Sequence, residues 1–163
     1  LDMMLVGSGS IRVTEFGPIV LFSDLTECLP YDDSAIALWV TGSQLKKMIL
    51  YMLRDEVWEG SHCEFFQFSE GVRVIYDRQS HILKEFSLYG EPIEDTKIYK
   101  IGLQYYFYLN MKDFFSLSHE EVEPNGKPRR VATSCREVLD EYLSCHQGLD
   151  HRIGDRIKIL SKS

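Results

Sequence analysis

Short apolar segments, separated by turn residues, recur along the chain. Gly71–Asp77 and Ile82–Leu88 alternate between apolar and polar residues, as expected for strands that bury one face. Ala35–Val40 is apolar throughout, which is typical of a buried strand, and the hydrophobic segment Leu1–Val6 also predicts a strand. Tyr89–Pro92 combines a glycine with a proline and predicts a turn. This part of the chain therefore predicts several short strands.

A helix is predicted directly after the buried strand. Gly42 interrupts the apolar run, and Ser43 is the predicted N-cap of the helix. Apolar residues then recur at helical spacing on one face, namely Leu45, Met48, Ile49 and Met52. Lys46 and Lys47 fall elsewhere on the helix surface. The pattern predicts an amphipathic helix that packs on a sheet.

The segment Tyr99–Leu109 gives the strongest strand prediction. Residues of the more apolar face are Ile101, Leu103, Tyr105, Phe107 and Leu109. Residues of the other face are Gly102, Gln104, Tyr106 and Tyr108. In this pattern Tyr106 presents its ring on the less apolar face, where the hydroxyl can stay hydrated.

The last third of the chain predicts a loop, a helix and a final strand. Glu120–Arg130 contains a Pro-Asn-Gly turn and a second proline, which predicts a loop. Ser134 and Glu137 match a capping box that opens a helix ending near Gly148. Arg156–Leu160 predicts the final strand. Because strands and helices mix without regular βαβ alternation, the predicted fold class is α+β.

Length and charge limit the functions that this fold can serve. The 163 residues predict a single domain, 1–163. The formal net charge of −7 disfavours binding to nucleic-acid polymers, whose phosphates an acidic chain repels. No apolar run approaches the roughly 20 residues that a membrane-spanning helix needs. No signal peptide precedes the first predicted strand, so we expect the chain to begin inside a longer protein.

The sequence contains no motif that would hydrolyse a substrate unaided. The histidines form no HxH, DxH or HExxH pattern, and they are His62, His81, His119, His146 and His151. Asp32 and Asp33 are adjacent, so their side chains diverge, and a turn explains them more simply than a shared acid–base role. The cysteines form no CxxC pair, which favours free thiols, and they are Cys28, Cys63, Cys135 and Cys145. We therefore predict no catalytic residue and no metal ligand in this chain.

Several segments resemble motifs of one enzyme family. Gly9–Arg12 resembles a GGxR motif, and Thr41–Lys46 resembles a TGxxLK junction between a strand and a helix. Glu91–Lys100 resembles the run written G.pl...k.Y.v, and Gly154–Ile157 resembles a closing GRI strand with one residue added. These segments are similar to the C-terminal domain of the 5'-nucleotidase and UDP-sugar hydrolase family. The resemblance covers nearly the whole chain and implies mixed sheets packed with a few amphipathic helices.

The resemblance also implies where a nucleotide would bind. Arg12 matches the arginine of the family's substrate site, and a guanidinium offers paired donors to phosphate or carboxylate. Phe65, in the segment Cys63–Phe68, and Tyr106 match the two aromatic residues that clamp the nucleobase. Asp113 matches the aspartate that binds the ribose hydroxyls, provided that one residue is inserted before it.

The chain departs from the family pattern at the turn before Asp113. A glycine-rich GGDG turn is replaced by Leu109–Phe114, in which both glycines are lost. Glycine at such a turn permits a close approach of the backbone to a ligand. Met111 and Lys112 are therefore expected to crowd the space that the ribose would occupy.

In this family the hydrolysis itself belongs to a separate N-terminal domain. The resemblance implies that the chain is the substrate-recognition domain of a two-domain 5'-nucleotidase-like metallophosphoesterase, with a nucleotide or nucleoside as ligand. Its partner would be its own N-terminal catalytic domain, which lies outside this sequence and is expected to hold two divalent metals. One alternative is a non-catalytic nucleotide-binding or protein-interaction module that kept the fold. Another is a free-standing hydrolase with an unrecognised site.

The sequence leaves the cellular compartment and the base specificity open. Members of the family are commonly exported, which implies an extracytoplasmic protein. Free cysteines instead favour a reducing, intracellular compartment.

Overall fold

A computed structural model describes residues 1–59, 64–149 and 154–160. The strands in chain order are β1 Met3–Gly7, β2 Ala35–Thr41, β3 Phe66–Phe68, β4 Val72–Asp77, β5 Ile82–Leu88, β6 Glu91–Pro92, β7 Ile98–Gln104, β8 Arg129–Ala132 and β9 Ile157–Leu160. They form two sheets: sheet A has the order β3-β1-β7-β2-β8, and sheet B has the order β6-β5-β4-β9. Each sheet is mixed, because β1 pairs in parallel with β7 and β4 pairs in parallel with β9, whereas their other neighbours are antiparallel.

Helices connect and cover these sheets. They are α1 Phe22–Cys28, α2 Gly42–Met52, α3 Tyr105–Leu109, α4 Met111–Phe115, α5 His119–Val122 and α6 Cys135–Cys145. Short 3-10 turns occur at Ser8–Ser10, Asp55–Val57 and Glu123–Asn125. The α+β class predicted from the sequence is confirmed. The described part of the chain contains no helix that is long and apolar enough to span a membrane.

A continuous apolar core joins α2 to both sheets. The predicted face of α2 is buried as expected, with Leu45, Met48 and Ile49 fully inaccessible to solvent. On sheet A, alternate residues of β1 face this core, and on sheet B the strand β4 contributes Val74 and Tyr76. Removing this apolar surface from water supplies the main driving force for folding.

The N-terminus of α2 is fixed by the loop at residues 94–97. Thr41, rather than the predicted Ser43, is the N-cap, and it forms a capping box with Gln44. Two further N–H groups of the first turn donate to loop carbonyls, from Gly42 to Lys97 at 2.9 Å and from Ser43 to Asp95 at 3.0 Å. A Cβ atom at Gly42 would lie closer than 3.0 Å to a carbonyl oxygen of this loop. The helix start therefore has no room for a side chain at position 42.

The prediction of one long strand over Tyr99–Leu109 is wrong in its second half. The strand β7 ends at Gln104, and the helix α3 begins at Tyr105. The helical start is held by groups from outside the segment, because the N–H of Tyr105 donates to the carbonyl of Ser34 and the N–H of Tyr106 donates to the Asp33 carboxylate. Tyr106 therefore lies on a helix and not on a strand face.

The structure corrects one further sequence prediction and confirms an N-cap. The predicted loop Glu120–Arg130 contains most of α5, a 3-10 turn and the start of β8. The predicted capping residue Ser134 does accept the N–H of Glu137 at 2.9 Å, and α6 follows it. Of the residues singled out in the sequence, His62, Cys63 and His151 lie outside the described part of the chain.

Candidate functional site

The candidate site lies at the edge of sheet A where β1 and β7 end. Leu5 of β1 is opposite Leu103 of β7 on one side and opposite Phe68 of β3 on the other. Following this register, Phe65 and Tyr106 lie just beyond the same edge, on either side of the end of β1. Neighbouring strands are about 4.8 Å apart, so two strand spacings separate the two backbones by roughly 10 Å.

Phe65 is half-buried immediately before β3. Its carbonyl accepts the N–H of Ser8 at 2.7 Å, which anchors it to the turn that follows β1. Its ring makes an edge contact with Trp58, with ring centroids 6.0 Å apart. The next residue, Phe66, is fully buried and packs against Phe107 at 4.8 Å between centroids. The backbone of Phe65 is thus held by a buried neighbour while part of its own ring stays accessible.

Tyr106 is well exposed, with 56% of its surface accessible to solvent. One side of its ring packs against Phe107 and Phe114, at centroid distances of 5.3 and 5.8 Å. Its N–H donates to the Asp33 carboxylate at 2.7 Å, which fixes the first turn of α3. A tyrosine that is supported on one side and exposed on the other can stack on a planar ligand.

Arg12 is exposed on the segment that follows the turn after β1. Its N–H donates to the carbonyl of Cys28 at 2.9 Å, and its guanidinium lies 5.6 Å from the centre of the Tyr31 ring. Ile11 and Val13 line an apolar cavity of about 780 Å³ between sheet A and α6. Arg12 itself does not line this cavity, and it is exposed. The guanidinium is therefore available to an anion in solvent.

Asp113 lies on the exposed surface of α4, next in sequence to Phe114. Because the ring of Phe114 contacts Tyr106, the backbone of Asp113 is brought close to α3. Met111 is 1% exposed and packs in the core, so the prediction that it crowds the ribose space is wrong. In place of the family's glycine-rich turn, this chain has the start of the helix α4, and Met111, one of its two bulky residues there, faces the core.

A hydrogen-bonded turn between the two aromatic residues was not recognised as part of the site from the sequence. Glu64 and Gln104 each accept two hydrogen bonds from the segment Gly7–Ser10. The Gly-Ser-Gly-Ser segment at residues 7–10 lacks the lysine and the spacing of a phosphate-binding loop. Two polar residues in the sequence could have indicated these contacts: Glu64, which directly precedes Phe65, and Gln104, which lies two positions before Tyr106.

The apolar cavity beside Arg12 is a poor candidate for a nucleotide site. Its lining is almost entirely hydrophobic and includes Met4, Val6, Val138 and Tyr142. A phosphate or a sugar placed there would lose its hydration without gaining enough hydrogen bonds. The sheet edge, where the rings of Phe65 and Tyr106 are at least partly accessible, suits a planar base better.

Metal-ligating side chains are dispersed over the described part of the chain, and the pKa values of two of its thiols are raised. No group of three or more metal-ligating side chains occurs among residues 1–59, 64–149 and 154–160. Burial, together with the carboxylates of Asp33 and Asp32, raises the pKa of Cys135 to about 11, and burial also raises the pKa of Cys28. These two thiols are therefore protonated and unreactive near neutral pH. The two aspartates bind N–H groups at the starts of α3 and α6, so they act as structural acceptors.

Comparison with known proteins identifies a family. The sequence model of the family described as "5'-nucleotidase, C-terminal domain" matches residues 2–119. No protein of curated function matches the chain in sequence.

Solved structures share the fold across nearly the whole chain. A 5'-nucleotidase precursor from Thermus thermophilus is 20% identical, with a TM-score of 0.78 over 99% of this chain and 32% of its own. The NAD nucleotidase of Haemophilus influenzae is 18% identical, with a TM-score of 0.84 over 100% of this chain and 30% of its own. A sulfate thiohydrolase, SoxB, from Thermus thermophilus is 14% identical, with a TM-score of 0.68 over 100% of this chain and 29% of its own. The chain spans about a third of the length of each.

Proposed function

The chain belongs to the 5'-nucleotidase C-terminal domain family, and on this premise we propose that it is the substrate-recognition domain of a two-domain metallophosphoesterase. Its ligand would be a nucleotide or a nucleoside. The hydrolysis would take place on a preceding N-terminal domain, which would hold two divalent metals that activate the attacking water. This chain would then supply binding energy and orientation, which accelerate the reaction by holding the substrate against the metals.

The observation that carries the proposal is the placement of Phe65 and Tyr106 at one edge of sheet A. Both rings are at least partly accessible, and each is anchored through its backbone or a buried neighbour. A flat nucleobase inserted between them would stack on both faces. Every base has a π face, so this arrangement binds bases without strong selection among them, at about 1–3 kcal/mol per stack.

Arg12 and Asp113 complete the proposed site with polar contacts. The guanidinium of Arg12 would bind a phosphate oxygen, and such charge-assisted pairs are stronger than neutral hydrogen bonds. The carboxylate of Asp113 would accept hydrogen bonds from the two ribose hydroxyls. Because Met111 is turned into the core, it takes up no space on the exposed face of α4, where Lys112 and Asp113 lie.

Adenosine monophosphate titrated into the purified chain tests the clamp by calorimetry. We expect Phe65→Ala and Tyr106→Ala each to weaken binding by roughly 5- to 150-fold, which corresponds to the loss of one stack. Tyr89→Ala serves as the control, because Tyr89 is also an exposed tyrosine but lies in the turn between β5 and β6 on the other sheet. Unchanged affinity in both clamp variants would remove the clamp from the proposal.

A protein-interaction module is the second candidate, and an exposed apolar surface favours it. Ile19, Leu21 and Phe22 are neighbours in sequence and are 76%, 59% and 64% exposed. Such a cluster is typical of a surface that contacts another protein. A thermal-shift series with nucleosides, nucleotides and sugar nucleotides separates the candidates, because a ligand at 100 times its dissociation constant stabilises by about 2.7 kcal/mol. No shift with any of them would favour the interaction module.

A further inference from the structure

The turn Gly7–Ser10 lies between the two halves of the candidate clamp and is bonded to both. On one side, Glu64 accepts hydrogen bonds from the N–H of Gly9 and, at 3.4 Å, from the hydroxyl of Ser8. On the other side, the carbonyl of the Gln104 side chain accepts the N–H of Gly7 and the hydroxyl of Ser10, both at 3.1 Å. Four donors of the turn thus share two acceptors, the side chains of Glu64 and Gln104.

The two acceptors are neighbours of the two clamp residues. Glu64 directly precedes Phe65, and Gln104 is the last residue of β7, two positions before Tyr106. The turn therefore connects the segment that carries one ring to the segment that carries the other. We propose that Glu64 and Gln104 are positioning residues that fix the distance between the Phe65 and Tyr106 rings through the Gly7–Ser10 turn. This inference rests on the proposed function for its ligand, but not for its geometry.

The packing of the turn supports a spacing role. A Cβ atom at Gly7 would lie closer than 3.0 Å to both the Phe107 ring and the Glu64 carboxylate, which shows how tightly the backbone is enclosed. A Cβ atom at Gly9 would meet the same carboxylate at 2.6 Å. The turn is thus filled from the Phe65 side and from the α3 side at once. A shift of either wall would be transmitted to the other, because close-packed groups have no free volume in which to absorb it.

Burial explains why the Gln104 contacts matter. Gln104 is 3% exposed, so its side-chain carbonyl has no alternative partner in solvent. A buried acceptor that loses its donors keeps the full cost of its lost hydration. Glu64 is half-buried and can be exchanged for residues that keep or remove the acceptor. The two positions therefore allow independent tests of the same connection.

The test measures the position of Phe65 and the affinity for ligand separately. Trp39 and Trp58 are the two tryptophans of the sequence, so a Trp39→Phe background leaves Trp58, which contacts Phe65, as the reporter. In this background, Glu64→Ala should shift the Trp58 emission and weaken the binding of adenosine monophosphate about tenfold. Glu64→Gln keeps an oxygen acceptor, so the Trp58 emission should match that of the parent and the dissociation constant should stay within about twofold of it.

The outcomes separate this inference from the proposed function. If the parent binds adenosine monophosphate but Glu64→Ala matches it in both readouts, the spacing role is overturned and the proposed function stands. If the parent does not bind this probe, the proposed function fails, and the Trp58 emission still decides the spacing role. Glu64→Gln behaving like Glu64→Ala would also overturn the role, because the acceptor alone should suffice.

Two further variants guard against a general loss of stability. Gln104→Met removes the second acceptor at similar volume, and it should weaken binding about tenfold as well; it carries the test if Glu64→Ala does not fold. Glu91→Ala, at an exposed position of β6 on sheet B, should change neither readout. Parent-like affinity and emission in Gln104→Met would contradict the proposal.

Discussion

Replacing Gly42 with alanine should destabilise the fold more than the same replacement at Gly102. At Gly42 the new methyl group would collide with the carbonyl oxygen of Glu94, which belongs to rigid backbone. At Gly102 it would meet the side-chain ends of Met4 and Leu1, which can rotate away. Both substitutions add one methyl group, so the difference in unfolding free energy reports how rigid the atoms next to that methyl group are.

The magnitude at Gly42 follows from what must move. Displacing the loop at residues 94–97 would weaken two hydrogen bonds, those donated by the N–H groups of Gly42 and Ser43, at about 1 kcal/mol each. Residual overpacking would cost a further ~1–3 kcal/mol, and the better helix propensity of alanine would return about 1 kcal/mol. We therefore expect Gly42→Ala to lower the free energy of unfolding by about 2–4 kcal/mol. Gly102→Ala should stay within about 1 kcal/mol, because relief of backbone entropy offsets the crowding.

Urea unfolding followed by circular dichroism measures the unfolding free energies of the two variants, and thermal unfolding measures their Tm. For a chain of this length, 1 kcal/mol corresponds to about 2–4 °C in Tm, so Gly42→Ala should melt roughly 4–16 °C below the parent. A Gly42→Ala protein as stable as Gly102→Ala would refute the reasoning, because it would mean that the loop yields at no cost. The comparison also tests why this glycine belongs to the motif at Thr41–Lys46 that carried the family resemblance.

Two further predictions concern the start of α6. Ser134→Ala should cost about 1–2 kcal/mol of unfolding free energy, because the Ser134 hydroxyl both accepts the N–H of Glu137 and donates to Asp32 at 2.7 Å. Ser134→Thr keeps both hydrogen bonds and should unfold in urea near the midpoint of the parent. An equal loss of stability in the two variants would contradict a capping role. With its pKa raised to about 11, Cys135 should be about one part in a thousand thiolate at pH 8 and should react with iodoacetamide only as the pH approaches 11. Peptide mass mapping would reveal this, and labelling of Cys135 at pH 8 as fast as that of the exposed Cys145 would count against it.

The sequence predicted the elements whose pattern and burial agree. The apolar face of α2 and the strands β2, β4 and β5 appear within a residue or two of their predicted bounds. One buried face sets the periodicity of α2 and β4, whereas β2 is a continuous apolar run that is buried on both faces. The strand predicted over Tyr99–Leu109 failed at four consecutive aromatic residues, Tyr105 to Tyr108, which lie in the helix α3. Their intrinsic preference for strands was overridden by Ser34 and Asp33, which bind the first N–H groups of α3 from a distant part of the chain.

The candidate site was predicted by residue but not by arrangement. Arg12, Phe65, Tyr106 and Asp113 were chosen from motif spacing, and their roles remain predictions. Spacing along the chain cannot reveal that Glu64 and Gln104 meet the same turn, because the three segments are joined only through the register of sheet A. The orientation of Met111 was also beyond the sequence, since an apolar residue beside a ligand site is as compatible with the pocket as with the core.

The place of β1 in the middle of sheet A has a consequence for synthesis. Leu5 is opposite Phe68 and Leu103, so one partner is about sixty positions later and the other about a hundred. During translation, β1 emerges from the ribosome well before either partner and presents two unpaired hydrogen-bonding edges. Contacts of such long sequence separation form slowly, and exposed strand edges are prone to pair with other chains. The nascent chain therefore carries unpaired edges of β1 until β3 and β7 have been made.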